Sequence, residues 1–324
     1  MATAVIIREP GSPEVLKLEQ VEVGHPGAGE LRIHQTAIGL NFHDVYVRNG
    51  QYKTLKMPGI PGVEGAGIVE EIGDGVAGFK RGDRVAYTLP TYGAYTDERL
   101  VPAQYVVALP DSVSDELAAA VMVKGITAQL LLRRVHPVRA DDWVLVHAAA
   151  GGVGQLLCQW AHHIGAKVIG TVGSKEKAVV ARKCGCDFVI LYREENFTEK
   201  VTEITNGRGV DVVYDSVGKD TFLGSLNSLA FFGHLVQSGQ SSGFADPFPV
   251  SALSVKSASV TRPMCFHYVA DRAVLEESAS ELFQALAQNV VKVSGIKKYA
   301  MRDVVQAHRD METRSTIGSS ILVP

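Results

Sequence analysis

Three small residues, Ala149, Gly151 and Gly154, have the spacing of a phosphate-binding loop near the middle of the chain. They follow the apolar run 143–147 and lead into a helical pattern at 153–164, so the loop joins a strand to a helix. Side chains this small let backbone N–H groups approach a pyrophosphate, whose negative charge is favoured at the N-terminal end of a helix. The predicted dinucleotide ligands in this loop are Ala150, Gly151, Gly152, Val153 and Gly154. A turn with a structural role alone is the alternative.

The end of the next strand, 167–172, decides between the two nicotinamide cofactors. An acidic residue there would bind the adenosine ribose hydroxyls of NAD and repel the 2′-phosphate of NADP. The chain continues instead with Gly173, Ser174 and Lys177, which supply a hydroxyl donor and a positive charge. Glu176 is acidic, but on a helix it should point away from the face of Lys177. The pattern favours NADPH, and a solvated helix start capped by Ser174 is the alternative.

A sheet is needed to position these residues, and the second half of the chain predicts one. Apolar strands alternate with helices there, which is typical of a parallel sheet covered by helices on both faces. The predicted strands are 143–147, 167–172, 188–190, 210–214 and 234–237, and the predicted helices are 153–164, 174–183, 197–205 and 221–230. Gly239 and Gln240 follow the last strand, so they are expected at the carboxyl edge of the sheet, where ligands of such sheets lie.

The chain before residue 115 follows a different pattern. Alternating runs at 31–37, 67–72 and 82–87 are separated by turns rich in Gly and Pro, which predicts a twisted antiparallel sheet or a partly open barrel. The other predicted elements are a helix from Asp115, a long helix at 275–289 and a final strand at 317–323. The fold class is therefore α/β, and a length of 324 residues fits two domains better than one.

The composition is that of an ordinary globular protein, 46% hydrophobic and 21% charged. A formal net charge of −3 offers no electrostatic reason to bind nucleic acid or an anionic membrane. The N-terminus lacks the basic start of a signal peptide, and no stretch of about 18 apolar residues predicts a membrane span. Cys184 and Cys186 are too close for the usual zinc or redox pairs. All four cysteines are therefore expected to be reduced thiols of a cytoplasmic protein, with Cys158 buried in a helix.

Motifs along the whole chain carry a resemblance to one family. They are Asn41-Phe42-x-Asp44-x-x-x-Arg48, Pro61-Gly62-x-Glu64-x-x-Gly67, Lys124-Gly125-x-Thr127-Ala128, Asp142-x-x-Leu145-x-x-x-Ala149-Ala150-Gly151-Gly152 and Arg314-x-Thr316-x-Gly318. With them the chain resembles the zeta-crystallin family of NADPH:quinone oxidoreductases, the zinc-free branch of the medium-chain dehydrogenase/reductase superfamily. The glycine-loop signature departs at His162, where Lys, Arg or Ser is usual, with little expected consequence.

The resemblance implies a division into two domains and an assembly. Residues 1–122 and 263–324 would form a GroES-like catalytic domain, and residues 123–262 a Rossmann domain that binds NADPH. The final helix and strand would return to the N-terminal sheet. A homodimer would form by pairing of an exposed sheet edge at 258–261.

The resemblance also implies site residues. Asn41, Phe42 and Tyr46 would line the nicotinamide side of the cleft, and Asn41, Tyr46 and Lys124 are the catalytic candidates. The further cofactor ligands would be Tyr192, close to the 2′-phosphate, and Ser216, Gly239, Gln240 and Arg314. The alternatives are loop structure for Asn41 and Tyr46, a surface lysine, a half-buried aromatic ring at Tyr192, and a surface ion pair at Arg314. His43 neighbours Asn41, but an apolar residue is usual there in the family, so no proton donor is assigned.

The metal ligands of zinc-dependent relatives are absent from this sequence. Asn41 and Val63 stand where those relatives hold a cysteine and a histidine, and no cysteine precedes Cys158. Without a Lewis acid, alcohol oxidation loses its main catalytic aid, whereas quinones and activated double bonds need less help. We therefore expect zinc-independent reduction of quinones by NADPH. Reduction of α,β-unsaturated aldehydes or ketones is the alternative, and a non-enzymatic role as a crystallin or RNA-binding protein is the third possibility.

Overall fold

The computed structural model describes residues 1–293, 295–313 and 316–324. The chain forms two compact units. The terminal unit comprises Met1–Ile126, Cys265–Ala287 and Val293–Pro324, and the central unit comprises Thr127–Met264 and Gln288–Lys292. Among the described residues, no helix is both long and apolar enough to cross a membrane.

The strands and helices follow in chain order. The strands are β1 (Ala2–Ile6), β2 (Lys17–Val21), β3 (Glu30–Gly39), β4 (Glu64–Ile72), β5 (Arg84–Thr88), β6 (Glu98–Pro102), β7 (Val106–Ala108), β8 (Trp143–Val146), β9 (Lys167–Val172), β10 (Phe188–Leu191), β11 (Val210–Asp215), β12 (Leu229–Gln237), β13 (Ser259–Thr261), β14 (Lys297–Ala300) and β15 (Ser320–Val323). The helices are α1 (Phe42–Arg48), α2 (Asp115–Leu130), α3 (Gly152–Ile164), α4 (Lys175–Lys183), α5 (Phe197–Ile204), α6 (Phe222–Ser228), α7 (Cys265–Val269), α8 (Arg272–Ala287) and α9 (Val304–Glu312).

The terminal unit contains a sheet of strands in the order β14-β15-β3-β4-β5-β7, with β6 also paired to β3. The pairs are antiparallel except β14 with β15. Leu31 and Ile33 of β3 are fully buried while His34 is exposed, so the alternation that predicted this strand marks its core face. At the C-terminus, β15 pairs with β3 through Ile321 and Gly39. The last strand therefore belongs to the sheet of the first strands.

The central unit contains a parallel sheet in the order β10-β9-β8-β11-β12-β13. Val144, Leu145 and Val146 of β8 are fully buried, as expected for a strand covered on both faces. In chain order the six strands lie 3-2-1-4-5-6, which is the doubly wound order of dinucleotide-binding folds. The order reverses between β8 and β11, and the crevice outside their carboxyl ends is where such sheets bind ligands. The α/β fold class is confirmed.

One predicted helix is too long. The helix expected at 221–230 ends at Ser228, because Leu229 already pairs with Val210 as the start of β12. Within β12, Phe232 has a positive φ of 64°, and the pairing with β11 shifts register between Leu229 and His234. Tertiary pairing outweighs local helical pattern here. The short helix α1, which carries site residues, was not predicted from periodicity, because a seven-residue helix is too short to show one.

Candidate active site

The glycine loop lies between β8 and α3, as predicted. Gly151 precedes α3 with an extended backbone (φ −80°, ψ 172°), and Gly152 begins the helix. A Cβ atom on Gly154 would come within 2.3 Å of the carbonyl oxygen of Ala148, so only glycine fits this close approach. The first N–H groups of a helix have no acceptor within it, and here they are the donors available to a pyrophosphate.

Neighbouring residues hold the loop in shape. The side-chain amide of Gln155 donates to the carbonyl oxygen of Ala150 at 2.9 Å, and the N–H of Ala149 donates to the carbonyl oxygen of Thr171 at 3.1 Å. Ala148 has a positive φ of 51°, a conformation that non-glycine residues rarely adopt. A strained backbone held by surrounding hydrogen bonds is typical of functional loops.

A buried polar chain connects β8, β9 and β11 beneath this loop. The imidazole of His147 lies 2.9 Å from Thr171 Oγ1 and 2.9 Å from Ser225 Oγ. Ser225 in turn donates to the carboxylate of Asp215 at 2.8 Å. Because Asp215 only accepts, Ser225 accepts from His147 Nε2–H, and Thr171 donates to Nδ1. The network thus sets the tautomer of His147, and its burial lowers the pKa of that imidazole.

Asp215 also shapes the turn that carries Ser216. Its carboxylate accepts from the N–H groups of Val217 and Gly218 at 2.8 and 3.0 Å, and from the Thr221 hydroxyl. A Cβ atom on Gly239 would lie 2.7 Å from the carbonyl oxygen of Ser216. The turns after β11 and β12 therefore come together, as the predicted cofactor ligands Ser216, Gly239 and Gln240 require.

The predicted phosphate site lies at the carboxyl ends of β9 and β10. A Cβ atom on Gly173 would lie 2.7 Å from the Tyr192 hydroxyl, so Gly173 and Tyr192 are neighbours. Ser174 caps α4, and its Oγ accepts from the N–H of Lys177 at 3.3 Å. Lys177 is half-buried and Tyr192 is 39% exposed. The structure thus brings the four predicted residues to one edge of the sheet.

Two further charged residues belong to this edge. The guanidinium Nε of Arg193 lies 3.4 Å from the same ideal Cβ position on Gly173, so a second cation borders the site. Sequence reasoning missed Arg193, although its position directly after Tyr192 was a usable signal. The exposed Glu176 has a lowered pKa because the Ser174 hydroxyl donates to it. A phosphate that binds Ser174 has to displace this bond.

In the terminal unit, Glu64 holds two of the three catalytic candidates. Its Oε1 accepts from the side-chain amide of Asn41 at 2.7 Å and from Lys124 Nζ at 3.2 Å. Its Oε2 accepts from the N–H of Val123 at 2.6 Å. Glu64 is fully buried, and the side chain of Lys124 is 8% exposed. A surface lysine, the alternative considered for Lys124, is therefore wrong: the residue lies inside α2 and is paired.

Helix α1 carries Phe42 and Tyr46, whose ring centroids are 6.1 Å apart. Asp44, fully buried, accepts from the N–H of Asn41 at 2.8 Å and from the Tyr95 hydroxyl at 2.9 Å. The bond from the N–H of Asn41 to Asp44 caps the N-terminus of α1, since Asp44 is the third residue of the helix. Asn41 is therefore fixed at both its backbone and its side chain. A purely structural role for Asn41 at the start of α1 stays the alternative to its predicted role in catalysis.

A second buried polar chain links α1 to α9. Tyr95 lies 3.1 Å from His308 Nε2, and His308 Nδ1 lies 3.4 Å from the guanidinium of Arg48. Burial raises the pKa of Asp44 to about 7, and burial with the nearby Arg48 charge lowers the pKa of His308 to about 3. Arg48 itself is 1% exposed and paired with Glu312 at 2.6 Å. These contacts hold the helix that bears the site residues.

Two other predictions and one residue that was not predicted complete the description of the site. Arg314 lies outside the described residues. Cys158, Cys184 and Cys186 are buried free thiols, and the sulfur atoms of Cys158 and Cys186 lie 3.3 Å apart. Glu64, quoted in a motif but not predicted as a site residue, proves to be the centre of the polar group. Its signal was its motif position, whereas its partners became visible only in the fold.

Comparison with known proteins agrees with both units. Residues 27–111 match the alcohol dehydrogenase GroES-like domain, and residues 152–299 match the zinc-binding dehydrogenase model. A 2-haloacrylate reductase from Burkholderia sp. is 45% identical over 100% of this chain and 99% of its own. A quinone oxidoreductase from Salmonella typhimurium is 44% identical over the whole of both chains. The chain belongs to the quinone oxidoreductase family.

Among solved structures of this family, quinone oxidoreductase from Escherichia coli complexed with NADPH superposes with a TM-score of 0.97. It shares 43% identity and covers 100% of both chains. The family resemblance predicted from the motifs is therefore confirmed, together with the GroES-like and doubly wound units.

One matched model describes a zinc-binding dehydrogenase, which raises the question of a metal in this quinone oxidoreductase family member. The donor set around Asn41 consists of one amide, one carboxylate and one ammonium group. Val63, which precedes Glu64 in the chain, is aliphatic and fully buried. Zinc prefers thiolate, imidazole and carboxylate ligands, so this set does not fit the metal. In the described part of the chain, no group of three or more His, Cys, Asp or Glu is arranged to hold a metal ion.

Proposed function

We propose that this protein is an oxidoreductase that reduces quinones with NADPH and without zinc. The observation that carries the proposal is the set of hydroxyl and cationic groups beside Gly173, where an acidic residue would select NAD. The relative from Escherichia coli, solved with NADPH, supports the same cofactor.

In the central unit, NADPH would be held by the predicted residues at the carboxyl edge of the sheet. The glycine loop residues Ala150, Gly151, Gly152, Val153 and Gly154 would bind the pyrophosphate. Gly173, Ser174, Lys177 and Tyr192 would bind the adenosine 2′-phosphate. Ser216, Gly239 and Gln240 would line the remaining edge, and Arg314 is retained as a cofactor ligand on the family resemblance alone.

In the terminal unit, Asn41, Phe42 and Tyr46 would line the nicotinamide side, and Lys124 would contribute its charge. The cofactor supplies a hydride when bound. The chain's own part is to orient the reactants and exclude water, and the bonds from Asn41 and Lys124 to Glu64 support a fixed geometry for that task. The ammonium group of Lys124 would stabilise negative charge that develops on the acceptor oxygen.

The domain assignment follows the family. We infer that residues 1–122 and 263–324 form the catalytic domain and residues 123–262 the NADPH-binding domain, close to the compact units described above. We further propose a cytoplasmic homodimer. The position of β13 at the end of the parallel sheet supports pairing between two copies.

A panel of acceptors tests the function. Purified protein is given NADPH with ortho-quinones, para-quinones or enones, and NADPH oxidation is followed by absorbance. Quinone-dependent oxidation is expected, and its absence with every quinone would contradict the proposal. A non-enzymatic crystallin or RNA-binding role would give no turnover with any acceptor.

Zinc independence has its own measurement. Elemental analysis should find no stoichiometric zinc, and chelators should leave the activity unchanged, because an amide and an aliphatic side chain occupy the positions of metal ligands. About one tightly bound zinc per chain would refute this part of the proposal.

Reduction of activated double bonds is the second candidate. The 45% identity to a 2-haloacrylate reductase over the whole chain favours it specifically. A higher kcat/KM for unsaturated acids or enones than for any quinone would decide for this activity.

A further inference from the structure

His43, the neighbour of Asn41 that the proposed function does not use, lies in an aromatic cluster. Its ring stacks on Tyr92 with centroids 5.8 Å apart and planes 17° apart. Tyr52 and Phe266 contact the same imidazole edge-on, at 5.4 and 5.3 Å. Tyr52 also packs edge-on against Tyr46 at 5.1 Å. The cluster therefore connects the catalytic candidate Tyr46 with Tyr92.

The Tyr92 hydroxyl has two partners of its own. It lies 3.1 Å from His43 Nε2 and 2.5 Å from Thr54 Oγ1. A phenolic oxygen accepts up to two hydrogen bonds and donates one. When the imidazole N–H and the threonine hydroxyl both donate to Tyr92, its own proton is available to a third group.

The surroundings leave room for that third group. Tyr92 is half-buried, and with Thr54 it borders a cavity of about 630 Å³. Leu55, Ile60 and Pro90 give the same cavity apolar walls. Arg8, Lys56 and Thr91 also line it, so the cavity combines apolar walls with a few polar groups. A planar carbonyl compound suits such a combination.

The imidazole of His43 and the phenol of Tyr92 both have the protonation state that proton donation by Tyr92 requires. Burial lowers the pKa of His43 to about 4, so its imidazole is neutral near pH 7 and carries one N–H. Burial also raises the pKa of Tyr92, so the phenol keeps its proton at the same pH.

We propose that Tyr92 is the proton donor of the reduction, oriented by His43 and Thr54. The inference rests on the proposed function, in which the cofactor delivers a hydride to the acceptor. The acceptor is left with an electron pair, on oxygen for a quinone and shared with the α-carbon for an enone. The O–H bond of Tyr92 breaks and a new O–H or C–H bond forms on the product. The phenolate, stabilised by its two hydrogen bonds, recovers a proton from water.

A proton donor at Tyr92 would affect the two candidate classes of acceptor differently. Hydroquinone anions are weak bases that water protonates readily, whereas enolates are much stronger bases and gain more from a positioned acid. Tyr92 would therefore matter little for quinones and greatly for α,β-unsaturated carbonyl compounds. The Tyr92 hydroxyl would allow one site to reduce both quinones and α,β-unsaturated carbonyl compounds.

Tyr92→Phe tests the proposal, because it removes the proton and keeps the ring. In the full-length protein with NADPH, kcat for an enone should fall about 100-fold, and kcat for a low-basicity para-quinone by less than about threefold. Across a series of acceptors, the loss should grow with the basicity of the product anion. NADPH affinity, measured by nucleotide fluorescence without acceptor, should stay unchanged. Tyr105→Phe, which removes a hydroxyl outside the cluster, is the matched control and should leave both rates unchanged.

His43→Phe tests the orienting role, since it keeps a ring for stacking but removes the N–H. Enone turnover should fall about tenfold, and the double variant should be no slower than Tyr92→Phe alone, as expected for residues that act through one another. Additive losses would overturn the role of His43.

Two outcomes would overturn the role of Tyr92. One is an equal loss for every acceptor, because a packing or binding role of the residue would lower all rates together. The other is wild-type enone turnover in Tyr92→Phe. A wild-type protein that reduces none of the acceptors would instead refute the proposed function, and this inference with it.

Discussion

At the scale of single residues, we expect the charges beside Gly173 to decide the preference for NADPH over NADH. Lys177 and Ser174 lie where NAD-specific folds carry an acidic residue, and Tyr192 and Arg193 border the same edge. A 2′-phosphate near a partly exposed lysine and a hydroxyl donor gains about 1.5–3 kcal/mol. This corresponds to roughly a 10- to 150-fold preference for NADPH over NADH.

Lys177→Ala should reduce NADPH affinity about tenfold and leave NADH affinity nearly unchanged, because NADH has no phosphate to lose. Lys175→Ala, on the same helix, is the matched control for a general change in charge. The wild-type preference should also shrink as salt is added. Binding constants from fluorescence titration check both points, and equal losses for the two cofactors would contradict the phosphate site.

Glu64 offers a test of the buried polar group. Glu64→Gln leaves the ammonium of Lys124 buried without its counter-ion, so the free energy of unfolding should fall by about 3 kcal/mol. Glu64→Gln combined with Lys124→Met removes both charges and should recover most of that loss. Urea denaturation of the four proteins in the cycle measures the coupling. A double variant no more stable than Glu64→Gln would show that the unpaired charge of Lys124 does not cause the loss of stability.

At the scale of elements, the position of α1 depends on α9. The chain from Asp44 through Tyr95 and His308 to Arg48 is buried, and its bonded partners are separated by up to 260 positions in sequence. Because the pKa of His308 is lowered to about 3 in the fold, the unfolded chain binds its proton first as pH falls below about 6.5. His308 therefore costs stability progressively between about pH 6.5 and pH 3.

The comparison of wild type with His308→Asn isolates this effect. The stability of wild type relative to the variant should fall by about 3 kcal/mol between pH 7 and pH 4. Asp44, whose pKa is raised to about 7, shifts stability in the opposite direction over much of this range, but it does so in both proteins. Thermal or urea unfolding at several pH values measures the difference. The exposed His163→Asn is the control, and a pH-independent difference for His308→Asn would contradict the buried neutral imidazole.

Most elements of the central unit were predictable because they carry a local signal. β9 runs from Lys167 to Val172, as its apolar run predicted, and α3 begins one residue before the predicted helix. The failures have tertiary causes. α6 is cut short by pairing of Leu229 with Val210, and α1 is held by Asp44 and the contacts to α9 rather than by a long amphipathic pattern.

At the scale of the whole molecule, we expect the edge strand β13 to form the interface of the proposed dimer. Ser259 and Thr261 are exposed, and the neighbouring Phe231 and Phe232 are 71% and 81% exposed. Large apolar side chains beside an open strand edge are typical of a surface that pairs with another copy.

Light scattering at micromolar concentration should give twice the chain mass of 34.8 kDa. Ser259→Lys should convert the protein to a monomer, because a charged side chain on an edge strand opposes pairing. Thr202→Lys adds the same charge to the exposed side of α5 and should leave the dimer intact. A monomeric wild type would refute the assembly, and a dimeric Ser259→Lys protein would refute this edge as its interface.

The sequence by itself determined the features that depend on neighbouring residues. The glycine loop and the strand after it lie within about 30 positions, and no acidic residue stands at Gly173 at the end of that strand. Each of these features can be interpreted from the size and charge of neighbouring side chains alone. The family motifs added Asn41 and Lys124 as catalytic candidates. These signals were sufficient for the fold class, the family and the identity of the cofactor.

Only the tertiary structure decided which side chains meet. Glu64 reaches Lys124 across 60 positions, and His43 reaches Tyr92 across 49. Arg193 became a neighbour of Gly173 through the pairing of β9 with β10. Contacts at such separations depend on strand register and on how side chains pack in the finished core, and no local pattern encodes either. The side-chain contacts of the terminal unit, such as those of Glu64 with Lys124 and of His43 with Tyr92, could therefore be identified only from the folded structure.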